Sequence, residues 1–325
     1  LARPWELVTN LTLEITRAGI DRDASSELAA PWPDLVISAG RRNEPVARWI
    51  RQKSGGRTKL VHIGRPWAPL ETWDLVVTTP QYFLPEQPNI LHNSLPLHLP
   101  DGEGLAHAAS ELEARVADLP RPRIAVFAGG DSGKFVFTVE KGERLGAAAN
   151  ALAAAAGGSI LFTDSPRTPG CAGDAVVGEL KVPHMAYRCA EGVANPYRGM
   201  LGLADAFIVT GESMSMLGEA AETGRPLFIF DMGDGDTPWW QLPHGWFYKP
   251  LSHRLAMRFG PARMRRDIGR IQDTLVNTGK AHWLDGLDVA QAVDALNAPR
   301  ESETGVAVEE LERSVTAVRQ LFESR

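Results

Sequence analysis

Seven short apolar runs, each four or five residues long, recur along this chain with helix-like stretches between them: Leu35–Ser38, Lys59–Ile63, Leu75–Thr78, Ile124–Ala128, Ser159–Thr163, Ala206–Thr210 and Leu227–Phe230. A strand that is apolar on both sides of its pleat must be covered on both faces. Helices between successive strands supply that cover, so the pattern predicts an α/β fold with parallel sheets. Three runs precede the segment Pro120-Arg121-Pro122-Arg123 and four follow it. Proline removes amide donors and holds its neighbours extended, as a joint between domains requires. The expectation is therefore two Rossmann-like domains, 1–119 and 120–300, whose sheets face a central cleft.

The helical stretches fit this division. A helix is expected over Gly104–Leu119 at the end of the first domain, and another over Val139–Ala156, alanine-rich at helical spacing and stopped by Gly157-Gly158. Near the C-terminus, Val308, Leu311, Val315, Val318 and Leu321 recur at nearly helical period, which predicts a helix over 305–325 packing back on the first domain.

Composition narrows the function. With 325 residues, 44% hydrophobic and 23% charged, the chain is long enough for two cores, and its net charge of −6 argues against a general nucleic-acid binder. Cys171 and Cys189 form no CxxC pattern, which predicts reduced thiols rather than disulfides or zinc. No run reaches the roughly 18 apolar residues of a membrane span, and no charged-then-apolar leader opens the chain, so a cytoplasmic protein is expected. Because residue 1 is leucine, a first strand and its glycine loop are expected to be missing from the amino end.

Ligands of open parallel sheets sit beyond the carboxyl ends of the strands, so the loops there carry the chemistry. In the first domain they hold Gly40, Arg41, Arg42 and Arg65. In the second they hold Gly129-Gly130-Asp131-Ser132-Gly133-Lys134, Asp164-Ser165-Pro166-Arg167-Thr168, and Gly211-Glu212-Ser213-Met214-Ser215. The segment Asn195–Asp231 reads as helix, buried strand, polar loop, second helix carrying Glu219, and buried strand. That order crowds Glu212, Ser213 and Ser215 at a helix amino end, a natural anion pocket.

Ala128–Phe135 departs from a P-loop, since Ala128 stands for the first glycine and Phe135 for the magnesium-binding hydroxyl. What remains is a glycine turn whose amides could approach a phosphate with Ser132 as an added donor, or a plain strand-to-helix turn. Arg167, flanked by Ser165 and Thr168, has two readings as well: a bidentate grip on a diphosphate, or a bond to its own loop. Glu219 either accepts from vicinal sugar hydroxyls or caps the helix near Ser213 and Ser215. Asp234-Gly235-Asp236 has the form of a metal-binding DxD, but glycine, threonine and proline around it favour a turn, and no metal is expected.

The segments PWPDLVISAGRRNEPVARWI, TKLVHIGRP, DLVVTTPQY, AGGDSGKF, TDSPRTP and NPYRGMLGLADAFIVTGESMSMLGEAAETGRP resemble the bacterial branch of the mitochondrial-fission "elongated mitochondria" family, over about residues 31 to 230. The second half is also similar in layout to glycosyltransferases of the GT-B type. That resemblance implies a nucleoside-diphosphate sugar, UDP-linked, as donor. Ser213 and nearby amides would contact the nucleotide, Glu219 the ribose, and Gly129, Gly130 and Ser132 the diphosphate or donor sugar. It implies no required cofactor.

The activity expected is transfer of the sugar to an unidentified acceptor, a membrane lipid or cell-envelope component, held by the first domain. An inverting transfer needs a base for the acceptor proton, and His62 is the first candidate with His98 the second. Trp239-Trp240 and Trp246-Phe247-Tyr248, followed by Lys249, Arg254, Arg258, Arg263, Arg265, Arg266 and Arg270, read as a packed loop and a solvated helix, or as peripheral contact with an anionic inner membrane face. Two alternatives stand beside the transferase: a nucleoside-diphosphate-sugar epimerase, and a non-catalytic adaptor in membrane fission.

Overall fold

The computed structural model describes residues 20, 23–40, 43–99, 101–189, 194–235, 255, 258–260, 265–298 and 305–323. These form two compact units. The first runs to Leu97 and takes in Phe259–Asp267 and the C-terminal helix from Glu309; the second comprises His98–Arg258 and Ile268–Val308.

In the first unit, strand β1 (Leu35–Ala39) leads into helix α1 (Glu44–Lys53), followed by β2 (Lys59–Ile63), β3 (Leu75–Thr78) and β4 (Ile90–His92). The strands pair in parallel in the order β1-β2-β3-β4, with Ile37 opposite Val61 and Val77 opposite Leu91. Side chains alternate across the pleat. Leu60, Trp73 and Val76 therefore pack with Ala47 of α1 on one face. On the other face Val61, Leu75 and Val77 pack with Ala317, Val318 and Leu321 of the C-terminal helix (Val306–Glu323). Glu44 opens α1 fully buried, and its carboxylate accepts the Trp67 and Ala68 amides at 2.8–3.0 Å.

The second unit opens with α2 (Gly102–Val116), then β5 (Arg123–Phe127), α3 (Val139–Ala155), β6 (Ser159–Thr163), α4 (Gly170–Glu179) and β7 (His184–Tyr187). It continues with α5 (Tyr197–Leu203), β8 (Ala206–Thr210), α6 (Met214–Glu222), β9 (Leu227–Phe230), α7 (Gly269–Asn277), β10 (His282–Trp283) and α8 (Val289–Asn297). Its described strands pair in parallel in the order β10-β9-β8-β5-β6-β7. Every residue of β5, β6, β8 and β9 is buried, which explains their unbroken apolar runs. The alanine-rich α3 packs closely on α4. A Cβ on Gly142 would lie 2.3 Å from the Ala172 carbonyl oxygen, and one on Gly146 would lie 2.4 Å from that of Val176.

The chain passes between units at Leu97–His98, not near Pro120, because α2 belongs to the second unit. Gly199 and Gly202 let α5 approach it: a Cβ at either would come within 2.8 Å of the Ala108 or Leu105 carbonyl oxygen. Arg123, 3% exposed, adds an ion pair to Glu113 at 3.0 Å. No helix among the described residues is long and apolar enough to cross a membrane.

Candidate functional site

Strand order in the second unit reverses between β5 and β8. From β5 the chain winds outward through β6 and β7, then returns to add β8, β9 and β10 on the other side. At such a reversal the two outgoing loops part and leave a crevice at the carboxyl edge. The glycine turn after β5 and the Gly211-Glu212-Ser213 loop after β8 meet at this position: the Gly129 amide donates to Thr210 Oγ1 at 2.8 Å.

The turn is built tightly. Gly130 has φ +103, and a Cβ there would lie 2.4 Å from the Arg167 carbonyl carbon and oxygen. The loop after β6 holds the turn from the other side. Ser165 Oγ donates to the Gly129 carbonyl, Thr168 Oγ1 donates to the Ala128 carbonyl at 3.1 Å, and the Arg167 guanidinium donates to the Asp131 carbonyl at 2.9 Å. Arg167 thus grips its own neighbourhood. The β6 loop is itself anchored by Asp164, 5% exposed, which accepts from Arg188 Nε at 2.7 Å and from the Cys189 amide at 2.6 Å.

This bonding revises the anion cradle expected from the glycines. The Gly129 amide serves Thr210, the Asp131 amide serves Arg167 at 3.1 Å, and the Ser132 amide serves Phe135 at 3.0 Å. The positive pole available to an anion is then chiefly the start of α6, whose first-turn amides have no intrahelical partner. Ser213 precedes that helix without a side-chain cap bond, and Ser215 is exposed on its first turn.

Glu212 lies between the turn and the helix. It is 2% exposed, and a Cβ on Gly129 would come within 2.2 Å of its Oε1. Neither oxygen has a hydrogen bond of ordinary geometry, although the Gly130 amide and the Thr210 hydroxyl lie close by. Burial pushes its pKa up to about 7, opposed by its own amide and the Thr210 hydroxyl, then by the charge of Arg167 and the Gly130 amide. Asp131, half-buried in the glycine turn, is also raised by burial, opposed by the Phe137 amide and then by Arg167 and Lys141.

Glu219, on α6, faces a cavity of about 480 Å³ within the second unit, lined also by His98, Asp101, Tyr197, Arg198 and Glu222. It does not cap its helix; its Oε2 accepts the Tyr197 hydroxyl at 2.6 Å. Burial and Glu219 together push the phenol's pKa above its ordinary range, so Tyr197 stays a donor. Asp101 caps α2 through the Gly104 amide at 2.9 Å and pairs with Arg198 at 2.5 Å. The cavity therefore joins carboxylate acceptors with an arginine and a phenol.

The residues expected in the first domain fare differently. His62 is not placed to be a base: it is fully buried in the first unit, beside the Trp73 ring at 4.6 Å and Ser38 Oγ at 3.4 Å. Burial lowers its pKa to about 4, against a smaller opposing effect of the Arg65 backbone, and the imidazole is neutral and closed to an acceptor. Leu60 shows why. It shares a pleat face with His62, and that face packs into the core around Trp73. Arg65 is half-buried, donates to the Tyr82 carbonyl, and has its pKa lowered by burial. Gly40 is exposed with φ +71, as the tight turn after β1 requires. Arg41 and Arg42 lie outside the described residues, as do Asp236, Arg254, Arg263 and the aromatic cluster from Trp239 to Tyr248.

Asp234, half of the DxD-like sequence, pairs with the Lys141 ammonium at 2.6 Å. Arg266 donates to Gln81 Oε1 at 2.8 Å and lies over the Tyr82 ring within the first unit. Both cysteines are unpaired. Thr210, Tyr197 and Arg188 support the candidate site without having been singled out in the sequence, and Asp164 stood there only as part of its loop. Thr210 and Asp164 carry the one usable signal, a polar residue ending or following a buried strand at the ligand edge.

Comparisons with known proteins add kinship. The sequence model of the family described as Mitochondrial fission ELM1 matches residues 1–258. Mitochondrial fission protein ELM1 of Arabidopsis thaliana is 27% identical over 269 residues, covering 76% of this chain and 61% of that protein. Uncharacterized protein RP120 of Rickettsia prowazekii is 24% identical over 229 residues, covering 61% of this chain and 64% of its own. The chain thus spans a little over three fifths of the curated relatives it matches. Among solved structures, a putative UDP-N-acetylglucosamine 2-epimerase from Listeria monocytogenes aligns with TM-score 0.46 and 11% identity, over 90% of this chain and 76% of that one. MurG of Acinetobacter baumannii aligns with TM-score 0.40 and 11% identity, over 86% and 72%. These structural scores are low and carry no weight for the function. The family match extends over most of the sequence and includes the glycine turn, the Glu212 loop and Glu219, and the chain belongs to the mitochondrial fission ELM1 family.

Proposed function

We propose that this chain is a nucleotide-sugar-dependent glycosyltransferase of GT-B type, acting without a chelated metal on a donor bound in the second unit. The observation that carries this reading is the arrangement at the β5/β8 reversal: an open helix start beside a glycine turn, with Glu219 one and a half turns along the same helix on a cavity of about 480 Å³. A nucleoside diphosphate matches those parts in order. Its pyrophosphate would lie at the positive end of α6, where the charge that develops as the glycosidic bond breaks is stabilised by fixed dipoles. Its ribose hydroxyls would donate to Glu219, held by Tyr197. Ser213 and Ser215 supply hydroxyls near the phosphates, while Ser132, Ser165, Arg167 and Thr168 keep the turn in shape. Of the two histidines, His98 lines the cavity and is the remaining candidate for the base that takes the acceptor proton.

The acceptor belongs to the first unit in this reading, beside Gly40 and Arg65, and is a membrane lipid or cell-envelope component met by a cytoplasmic, peripherally bound protein. An epimerase on the same donor shares the nucleotide contacts, and product analysis with and without acceptors separates the two. One observation favours a second reading, a non-catalytic adaptor in membrane fission: the amides of Gly129, Asp131 and Ser132 are bonded within the protein, which an active phosphate cradle does not require.

A thermal-shift panel of uridine, guanosine, cytidine and thymidine diphosphates tests the transferase reading. A ligand at 100 times its Kd stabilises by about 2.7 kcal/mol. A response to one base, lost in Glu219→Gln, supports it. Silence toward all four leaves the adaptor.

A further inference from the structure

The Glu212 carboxyl is 2% exposed at the point where two sheet-edge loops diverge, and among the described residues neither of its oxygens has a hydrogen bond of ordinary geometry; its own amide, the Gly130 amide and the Thr210 hydroxyl are only loosely placed around it. A glutamine or an apolar residue would fill the space at lower cost, since an ionised carboxylate so poorly hydrogen-bonded in such a place is penalised by several kcal/mol. Among the described residues Glu212 caps no helix and forms no ion pair: the guanidinium of Arg167, the nearby positive group, is bonded to the Asp131 carbonyl. It sits instead against Gly129, immediately before the open start of α6.

A fixed negative charge there would repel the pyrophosphate that the proposed function seats at the same helix end. A neutral carboxyl would not. We propose that Glu212 is the proton-carrying residue of this site, so that an anionic ligand at the start of α6 is bound together with one proton on the Glu212 carboxyl. This rests on the nucleotide-sugar reading for the ligand, though not for the state of Glu212 itself. The proton comes from solvent, and no other reactant is consumed. The ligand need not touch the carboxyl, because a charge of about −2 within a few ångströms in a poorly solvated setting disfavours ionisation.

The other charged groups around Glu212 set the controls. Arg167 comes from the β6 loop and Asp131 from the glycine turn, with Lys141 beyond it. The α7 side presents the uncharged Gln272, whose amide donates to the Gly211 carbonyl at 2.6 Å. Burial already holds Glu212 half-protonated near neutrality, so linkage has a definite sign. Below pH 6 the proton is in place and affinity is flat. Above about pH 7 each mole of ligand must bring a proton in, and affinity falls as much as tenfold per pH unit.

The experiment has two arms. Carbon-detected NMR of glutamate carboxyls in the unliganded protein, with Glu212 assigned by its loss in Glu212→Gln, should show titration near 7; a midpoint close to 4 overturns the inference whatever the protein binds. UDP-glucose, whose diphosphate has no ionisation between pH 5.5 and 8.5, is then titrated calorimetrically at pH 6.0 and 8.5 in two buffers of different ionisation enthalpy. Expected are at least tenfold weaker binding at pH 8.5, uptake of about one proton there, and loss of both effects in Glu212→Gln but not in Asp131→Asn. Equal binding at both pH values by wild type overturns the inference and leaves the nucleotide-sugar reading standing. Absence of binding to UDP-, GDP-, CDP- and dTDP-glucose at either pH, with Glu212 titrating near 7, removes the nucleotide-sugar reading and the inference with it.

Discussion

The phenol of Tyr197 donates a 2.6 Å hydrogen bond to Glu219 Oε2 across the second unit's cavity, tying the start of α5 to the middle of α6. The Tyr197 ring also packs on Phe127 at 4.7 Å, so the donor is fixed by the core and Glu219 is oriented by it.

Truncating that carboxylate is therefore not neutral for folding. Glu219→Ala leaves a half-buried phenol without its acceptor and should cost about 1–3 kcal/mol, whereas Glu219→Gln keeps an acceptor and should cost under about 1 kcal/mol. Urea unfolding measures both. Equal stability of the two variants would show that the bond is not made in solution.

Gly130 tolerates no side chain on two counts, its φ of +103 and its contact with Arg167. Gly130→Ala should destabilise the second unit by about 3 kcal/mol or more, while Gly235→Ala, at φ +54 with open space around it, should cost about 1 kcal/mol. Similar thermal shifts for both would mean that the β6 loop does not press on the glycine turn.

The two units should respond to pH in opposite directions. His62, with its pKa lowered to about 4, stays neutral while the unfolded chain takes a proton below about 6.5, so the first unit loses about 3 kcal/mol as pH falls across that window. Glu212, raised to about 7, keeps a proton that the unfolded chain releases above about 4.5, so the second unit loses a similar amount as pH rises to 7. Hydrogen exchange followed by mass spectrometry separates the units. His62→Gln and Glu212→Gln should each flatten one slope; parallel slopes in wild type would contradict the burial of one of the two groups.

The Asp164–Arg188 pair is nearly closed to solvent, with side chains 5% and 15% exposed. Burial disfavours the guanidinium, but Asp164 and Asp174 more than compensate and hold it charged. Asp164→Ala leaves Arg188 only the exposed Asp174 as an ion-pair partner, so it should cost about 2 kcal/mol. The loop holding Ser165 and Thr168 should loosen with it, read as faster amide exchange at Gly129 and Asp131. Unchanged exchange there would show that the pair does not anchor the site.

The strands of both cores were legible in the chain because apolar runs that must be buried on two faces announce themselves locally. Three strands were not: Ile90–His92, His184–Tyr187 and His282–Trp283 are sheet edges, short and mixed with histidine, where one side needs no apolar cover. The joint was misplaced because Pro120-Arg121-Pro122 reads as a hinge, while the contacts that claim α2 for the second unit come from Gly199 and Gly202, about ninety residues later.

By itself, the sequence determined the parallel α/β architecture, the loops that could carry chemistry, and the family, since each depends on residue type and spacing along the chain. Only the tertiary structure decided which loops meet, because strand order is a relation between distant segments: Gly129 finds Thr210 across the β5/β8 reversal, and Glu212 is enclosed there without a hydrogen bond of ordinary geometry among the described residues. It also decided that His62 faces the core, for the direction of a strand's side chains is set by what covers each face and not by the residue itself.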